Sequence, residues 1–429
     1  MQNREKAGLH LKRNTVGGVV GNILEWYDFA VFGYFAPVIG AQFFPSEDKF
    51  ASMISAFGVF AAGYMMRPLG GIVFGTIGDR LGRKKALQLS VAMMALPTIL
   101  LGFLPTYATV GVAASALLVL LRLVQGISVG GELVGSISFI SEIAPANRRG
   151  LYGSWTLFSA IGGVMLGSLA ATLIHAVLDD NTIHDWGWRI PFLAGFLVAG
   201  FGIWMRKGMV ETPDFEQHRE AGEVEKNPVV QALKNHLGKI MHVMALVVVL
   251  GGGFYMLFVW WPTYLTKIIP APVPHALTVN TISMLALMIM IPLMGLLSDI
   301  RGRKTVLLVA LGGLALFSYP LFVFSDHGTF AGALVCQLIF AVFLAGVQGP
   351  IPAVMVEMFP TMTRFSGIAM GYNISMAVFG GTAPLISTWI IQETGHNVAS
   401  PAYYLIFMSL VSFAAAMFIH GKGKQGDLE

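Results

Sequence analysis

The chain has 429 residues, of which 55% are hydrophobic and only 12% charged, with a formal net charge of +4. Its mean hydropathy is +0.70. Ordinary soluble chains are about one quarter charged, so a water-soluble globule is excluded. The single cysteine, Cys336, excludes an internal disulfide framework, and the 50 glycines follow no collagen-like period. What remains is a polytopic helical membrane protein.

Apolar runs long enough to cross a bilayer of about 30 Å predict spans over 15–40, 51–77, 86–104, 111–142, 151–177, 189–207, 239–267, 276–297, 305–325, 330–358, 366–392 and 402–420. The first follows Arg4, Lys6, Lys12 and Arg13, which imitate a secretory signal. No small-residue cleavage site follows, and the run contains Glu25 and Asp28, so an uncleaved first span is expected. Twelve spans put both termini on one side. With that side inside, internal segments hold 22 of the 27 Lys and Arg residues. External segments hold Lys49, Arg189 and Lys267, and Arg67 and Arg122 lie within spans. This bias predicts cytoplasmic termini and accounts for the net positive charge without nucleic acid. The longest polar stretch, 208–238, reads as a solvated, partly helical connector between an N-terminal bundle (1–207) and a C-terminal bundle (239–429).

Two patterns recur across that connector. Gly75-x-x-x-Asp79-Arg80-x-Gly82-Arg83-Lys84 returns as Gly295-x-x-x-Asp299-x-x-Gly302-Arg303-Lys304. Glu142-x-x-Pro145-x-x-x-Arg149 returns as Glu357-x-x-Pro360-x-x-x-Arg364. Two patterns repeated at nearly one offset indicate a duplicated six-helix unit, and parallel repeats are a transporter architecture. Gly126-x-Ser128-x-Gly130 spells a hydrolase elbow, but it sits inside a span and reads as tight helix packing. The histidines fall in loops or near span ends without a metal-ligand cluster, so neither a metal nor a histidine proton relay is expected, and no cofactor is expected either.

With these repeats the chain resembles the major facilitator superfamily over essentially its whole length. The stretches Asn22–Phe29, Arg67-Pro68-Leu69-Gly70-Gly71, Arg122–Glu132, Trp186–Phe192 and Glu211–Phe215 narrow the likeness to its metabolite:proton symporter family. Tyr372-Asn373 and Pro401–Leu405 are most similar to the proline/betaine transporter branch. The resemblance implies an all-α integral membrane fold of twelve transmembrane helices in two six-helix bundles, and a carrier rather than an enzyme. Some such transporters bear a long C-terminal coiled coil linked to osmosensing. The tail here ends shortly after the last span and departs from that pattern. Span 5 lacks the Gly-Pro-rich antiporter pattern, which leans toward symport.

Charges inside spans are costly and so are functional candidates. Glu25 lies about ten residues, roughly 15 Å, into span 1, with Asp28 on nearly the same face. Arg122 reaches similar depth in span 4, which the implied fold sets beside span 1. Glu25 or Asp28 is therefore expected to carry the coupled proton, Asp28 being favoured and Glu132 next. Arg122 is expected to hold a substrate carboxylate. Arg67 and Glu132, nearer the cytoplasmic side, are expected to form a second pair. The alternative for each set is a buried ion pair that only locks helices. Arg67, Tyr27, Gln125, Tyr255, Tyr372 and Asn373 complete the expected substrate site, since aromatic faces suit a quaternary ammonium. Gln337 and Gln348 add uncharged polar groups, while Trp260, Trp261 and Tyr264 read as an interface belt.

Gly75, Asp79, Arg80, Arg83, Glu142, Arg149, Asp299, Arg303, Glu357 and Arg364 are expected to gate the cytoplasmic side. By resemblance, Asp79 faces span 11 and Asp299 faces span 5, each carboxylate at a positive helix end. The alternative is that the basic residues only set topology. The expected activity is proton-coupled uptake of a small zwitterion by a monomer in a bacterial inner membrane. The rival substrate is a di- or tricarboxylate held by Arg67 and Arg122 together. The rival of another class is a membrane sensor that has lost transport.

Overall fold

The computed structural model describes residues 22–47, 49–207, 210–211, 213–221, 227–325, 328–395 and 397–419. The expected start of span 1, its basic flank and the C-terminal Lys422 and Lys424 lie outside the described residues. The helices are α1 (22–34 and Ala36–Phe43), α2 (Lys49–Met65 and Arg67–Leu81), α3 (Arg83–Phe103), α4 (Val112–Ile143), α5 (Arg149–Val177) and α6 (Ile190–Lys207). They continue as α7 (Pro228–Phe254, prolonged to Ile268 through two π segments), α8 (Ala276–Arg301) and α9 (Arg303–Ser325). The last three are α10 (Phe330–Gln348 and Ile351–Glu357), α11 (Thr361–Ser375, a π segment Met376–Gly380, and Ala383–Glu393) and α12 (Pro401–Met417). Among the described residues, nine helices are long and apolar enough to cross a membrane. Helices α1, α6 and α12 complete the twelve.

Burial is inverted relative to a soluble protein. Leu197, Leu316 and Val309 are 72%, 70% and 67% exposed, whereas Arg67, Arg83, Arg122, Arg206 and Arg364 are fully buried. An apolar exterior around buried cations is stable only where the surrounding solvent is hydrocarbon. The protein is therefore an integral membrane protein.

The chain forms two units. One comprises Met1–Ile143, Gly162–His236 and Thr361–Asn373, and the other Ala144–Ile161, Leu237–Pro360 and Ile374–Glu429. In the first, α4 packs on α2 and α3, and α3 on α6. In the second, α8 and α9 pack on α10, and α9 on α12. The α2–α4 contact is a glycine contact: a Cβ on Gly126 would stand 1.9 Å from the Gly63 carbonyl oxygen, and one on Gly130 2.3 Å from that of Arg67. The elbow-like sequence is thus a helix crossing. Gly82 and Gly302 take φ of 106° and 93° between α2 and α3 and between α8 and α9, which explains the loop-motif glycine at both places.

One expectation is corrected. Trp260, Trp261 and Tyr264 do not form a belt. They are buried in the second unit, where Trp261 meets Phe322 edge-on at 4.8 Å and Phe340 at 5.7 Å. The π segments rotate this stretch relative to an ideal helix, so its aromatics turn inward. The described part of the 208–238 connector is partly helical. It contains the helix Pro213–Glu220, and α7 begins at Pro228, with a non-helical residue at His236.

The glycine crossing yields a test. Gly130→Val should lower the melting temperature in detergent by several degrees or give aggregated protein, since backbone must move. Gly58→Ala, where no described residue lies within 4 Å of the new methyl, should leave the melt unchanged or raise it slightly. Equal melts for both variants would contradict the packing described.

Candidate functional site

Away from the loop motifs, the described buried charges of the first unit include three ion pairs, and only one follows the expected arrangement. Arg122 on α4 donates from Nη1 to Oδ2 of Asp28 on α1 at 2.9 Å. Gln125, one turn along α4, donates from Nε2 to the same Oδ2 at 2.9 Å and accepts from Arg122 Nη1 at 2.8 Å. Gln125 also reaches Thr98 Oγ1 on α3 at 3.0 Å. Phe29 and Phe32 lie 4.5 and 4.0 Å from the guanidinium carbon. One carboxylate oxygen is thus held twice, while Oδ1 of Asp28 is buried without a hydrogen-bond partner among the described residues.

Glu25 does not join this pair. Its Oε1 lies 3.9 Å from Nη2 of Arg67 on α2. The expected Arg67–Glu132 pair is therefore corrected. Glu132 binds Arg206 at the end of α6, with Arg206 Nη1 to Oε2 at 3.0 Å and a shorter contact from Nη2 to Oε1. Ser90 also donates to Glu132. The physical reason is reach: Arg206 is buried from the far end of α6, so its charge satisfies Glu132, leaving Arg67 to Glu25.

The remaining expected substrate residues divide. Asn373 accepts from Arg67 Nε at 3.4 Å and donates to the Gly130 carbonyl at 2.6 Å. The Tyr372 ring centroid lies 5.8 Å from the Arg67 guanidinium. The Tyr27 hydroxyl is tied to the Pro191 carbonyl at 2.7 Å. Tyr255 is buried in the second unit, edge-on to Phe254 at 5.6 Å. There Gln337 donates to Asn280 at 2.6 Å and to the Leu257 carbonyl at 2.8 Å, and Gln348 is buried.

The two loop motifs make parallel contacts. Asp79 Oδ2 accepts from the Ser366 backbone N–H at 3.0 Å and its hydroxyl at 2.7 Å. A Cβ on Gly75 would already stand 3.2 Å from Ser366 Cα. Asp299 accepts from the N–H groups of Gly150 and Leu151, both at 2.9 Å. These two follow Arg149 at the start of α5, as the dipole argument requires, whereas Ser366 lies a turn inside α11. Arg83 pairs with Asp79 at 3.0 Å and with Glu142 at 3.4 Å, and Arg364 with Glu142 at 3.1 Å. Arg303 pairs with Glu357 at 2.8 Å and Asp299 at 3.4 Å. Arg80 is exposed.

Sequence reasoning missed Arg206, Ser90, Thr98, Glu211 and Phe215. Glu211 Oε1 accepts from the Arg83 N–H at 3.1 Å and Oε2 from that of Lys84 at 3.2 Å, capping α3. Phe215 is buried under the Arg83 guanidinium at 5.3 Å. The one available signal was the acid-aromatic stretch Glu211–Phe215, which carried family likeness but no partner.

The sequence model described as Sugar (and other) transporter matches residues 15–248, and that of the Major Facilitator Superfamily matches residues 273–426. A proline/betaine transporter of Salmonella typhimurium is 34% identical over 416 residues, covering 94% of this chain and 82% of that protein. A putative proline/betaine transporter of Staphylococcus aureus is 34% identical, with 97% and 90% covered. A glycine betaine/proline/ectoine/pipecolic acid transporter of Dickeya dadantii is 32% identical, with 95% and 83% covered. Among solved structures, the proton:xylose symporter XylE bound to 6-bromo-6-deoxy-D-glucose superposes with a TM-score of 0.79 at 19% identity, covering 97% and 98%. An inward-open XylE gives a TM-score of 0.70 at 20% identity. This likeness shows a shared twelve-helix fold. With its family models, its repeated loop motifs and its relatives all in agreement, the chain belongs to the major facilitator superfamily, within the family of its proline/betaine transporter relatives.

Proposed function

We propose that the protein is a secondary transporter that takes up a small zwitterionic solute of the proline or betaine kind together with a proton, by alternating access. It works as a monomer in a bacterial inner membrane with both termini cytoplasmic. Its relatives carry such solutes in their names and come from bacteria, and the lysine and arginine bias supports the orientation. The repeated motifs support a functional division into halves 1–207 and 239–429 joined by 208–238.

The observation that carries the reading is the Asp28–Arg122 pair. Oδ2 of Asp28 is fixed by Arg122 and Gln125, while Oδ1 has no hydrogen-bond partner among the described residues. A proton added at Oδ1 turns a charge-to-charge hydrogen bond into a weaker one to a neutral acid. The arginine does not then become an unsupported buried cation, because Gln125 Oε1 and the faces of Phe29 and Phe32 still attend it. The pair can therefore exist in two protonation states with one geometry partner removed, as a proton-coupled carrier requires. The carboxylates Asp79 and Asp299 hold backbone N–H groups away from these mid-helix charges, which supports a role in cycling between conformations rather than in solute contact.

Asp28→Asn keeps the shape but cannot carry a proton. It should abolish proton-driven accumulation of L-proline in proteoliposomes while retaining counterflow at a reduced rate. Uphill uptake at the wild-type level would place the coupling elsewhere. Asp79→Asn should slow net uptake several-fold with the half-saturation concentration changed by less than about threefold. Each lost charge-assisted bond is worth roughly 1.5–3 kcal/mol and would shift the balance between states. A large loss of affinity with normal exchange rates would overturn the gating role.

A further inference from the structure

Arg67 and Glu25 are paired by charge but not by hydrogen bonds. Their nearest atoms are 3.9 Å apart. Among the described residues, neither Glu25 oxygen and neither terminal nitrogen of Arg67 has a hydrogen-bond partner, although both side chains are buried. The guanidinium is steadied elsewhere, at Nε by Asn373 and by the rings of Tyr64, Trp26 and Tyr372 at 5.1, 5.9 and 5.8 Å. The Tyr372 hydroxyl is also buried without a hydrogen-bond partner among the described residues. Buried charges left without hydrogen bonds are costly, because desolvation is not offset by contacts.

A molecule carrying a carboxylate and an ammonium relieves both deficits at once. Its carboxylate gives Arg67 the bidentate partner that a guanidinium fork fits, and its ammonium faces Glu25 and the aromatic rings. Charges then alternate along the row, and the net charge of the site does not change. A di- or tricarboxylate would instead set negative charge against Glu25. Arg122 is less suited to this task. It also has spare N–H groups, but its own acid is hydrogen-bonded at 2.9 Å.

We propose that Arg67 and Glu25, with the faces of Trp26, Tyr64 and Tyr372, form the solute site, Arg67 gripping the carboxylate and Glu25 the ammonium. The Arg67–Glu25 pair parts to admit the solute between its members. This rests on the transport reading above and adds a rule of selectivity. L-proline has two N–H donors for Glu25. Glycine betaine has none, so its methylated nitrogen depends on the rings.

The test is counterflow of L-proline and of glycine betaine by the purified full-length protein in proteoliposomes. Arg67→Lys should raise half-saturation for both solutes by about 30-fold or more, since a point charge cannot replace the fork. Glu25→Gln should raise it about tenfold for L-proline and no more than about threefold for glycine betaine. Such a split is not produced by general damage to the fold, so it decides the matter even if Arg67→Lys yields no protein. Equal shifts for the two solutes in Glu25→Gln, or unchanged affinity in Arg67→Lys, overturn the assignment while leaving transport intact. A wild-type protein that moves neither solute overturns the zwitterion reading itself.

Discussion

An arginine cannot be left alone inside a bundle whose outer surface is hydrocarbon-facing. In the first unit Arg67, Arg83, Arg122, Arg206 and Arg364 are all fully buried, and each lies against a carboxylate of another helix or of its own. Two charges 4 Å apart interact by about 4 kcal/mol at an effective dielectric of 20, and breaking one side of such a pair costs about 3–5 kcal/mol. These pairs therefore decide which helix faces which. They also concentrate the groups able to change state, because a pair can be undone by a proton or by a ligand bearing the matching charge.

Helix α1 is where the two possibilities meet. Glu25 and Asp28 stand one turn apart, the first facing Arg67 on α2 and the second Arg122 on α4. The two arginines come from helices in direct backbone contact: a Cβ on Gly63 would lie 3.1 Å from the Arg122 carbonyl oxygen, and one on Gly130 2.3 Å from that of Arg67. Glycines thus fix α2 against α4, and α1 is the element whose two acids can engage or release them. In the proposed account, a proton acts at one acid and the solute at the other. Both bias the same helix, so each ligand changes the affinity for the other by a common factor, typically 1–3 kcal/mol.

Much of this is legible in the sequence. Apolar run length gives the helices, and the loop motifs give the duplication that reappears as Asp79 on Ser366 and Asp299 on Gly150 and Leu151. Depth along a helix also brings Arg122 to Asp28. What periodicity cannot supply is which cation answers a given acid when several are within reach. Arg206 reads as a topology charge at the end of a span, yet it turns inward and takes Glu132, which redirects Arg67 to Glu25. Glu211 reads as one acid among many in a polar connector, and its role needs the exposed N–H groups at the start of α3, which only the folded chain presents. The aromatic stretch Trp260–Tyr264 misleads for a related reason, because nearness to a span end does not say which way a ring turns, and these rings are buried.

The central claim is that solute and proton move together. The most direct measurement is of both fluxes at once in proteoliposomes loaded with a pH-sensitive dye, with the membrane potential clamped by potassium and valinomycin and no imposed pH difference. Adding L-proline outside should acidify the lumen in step with solute influx, and Asp28→Asn should admit solute without acidification. Wild-type solute influx with an unchanged lumenal pH would contradict the account.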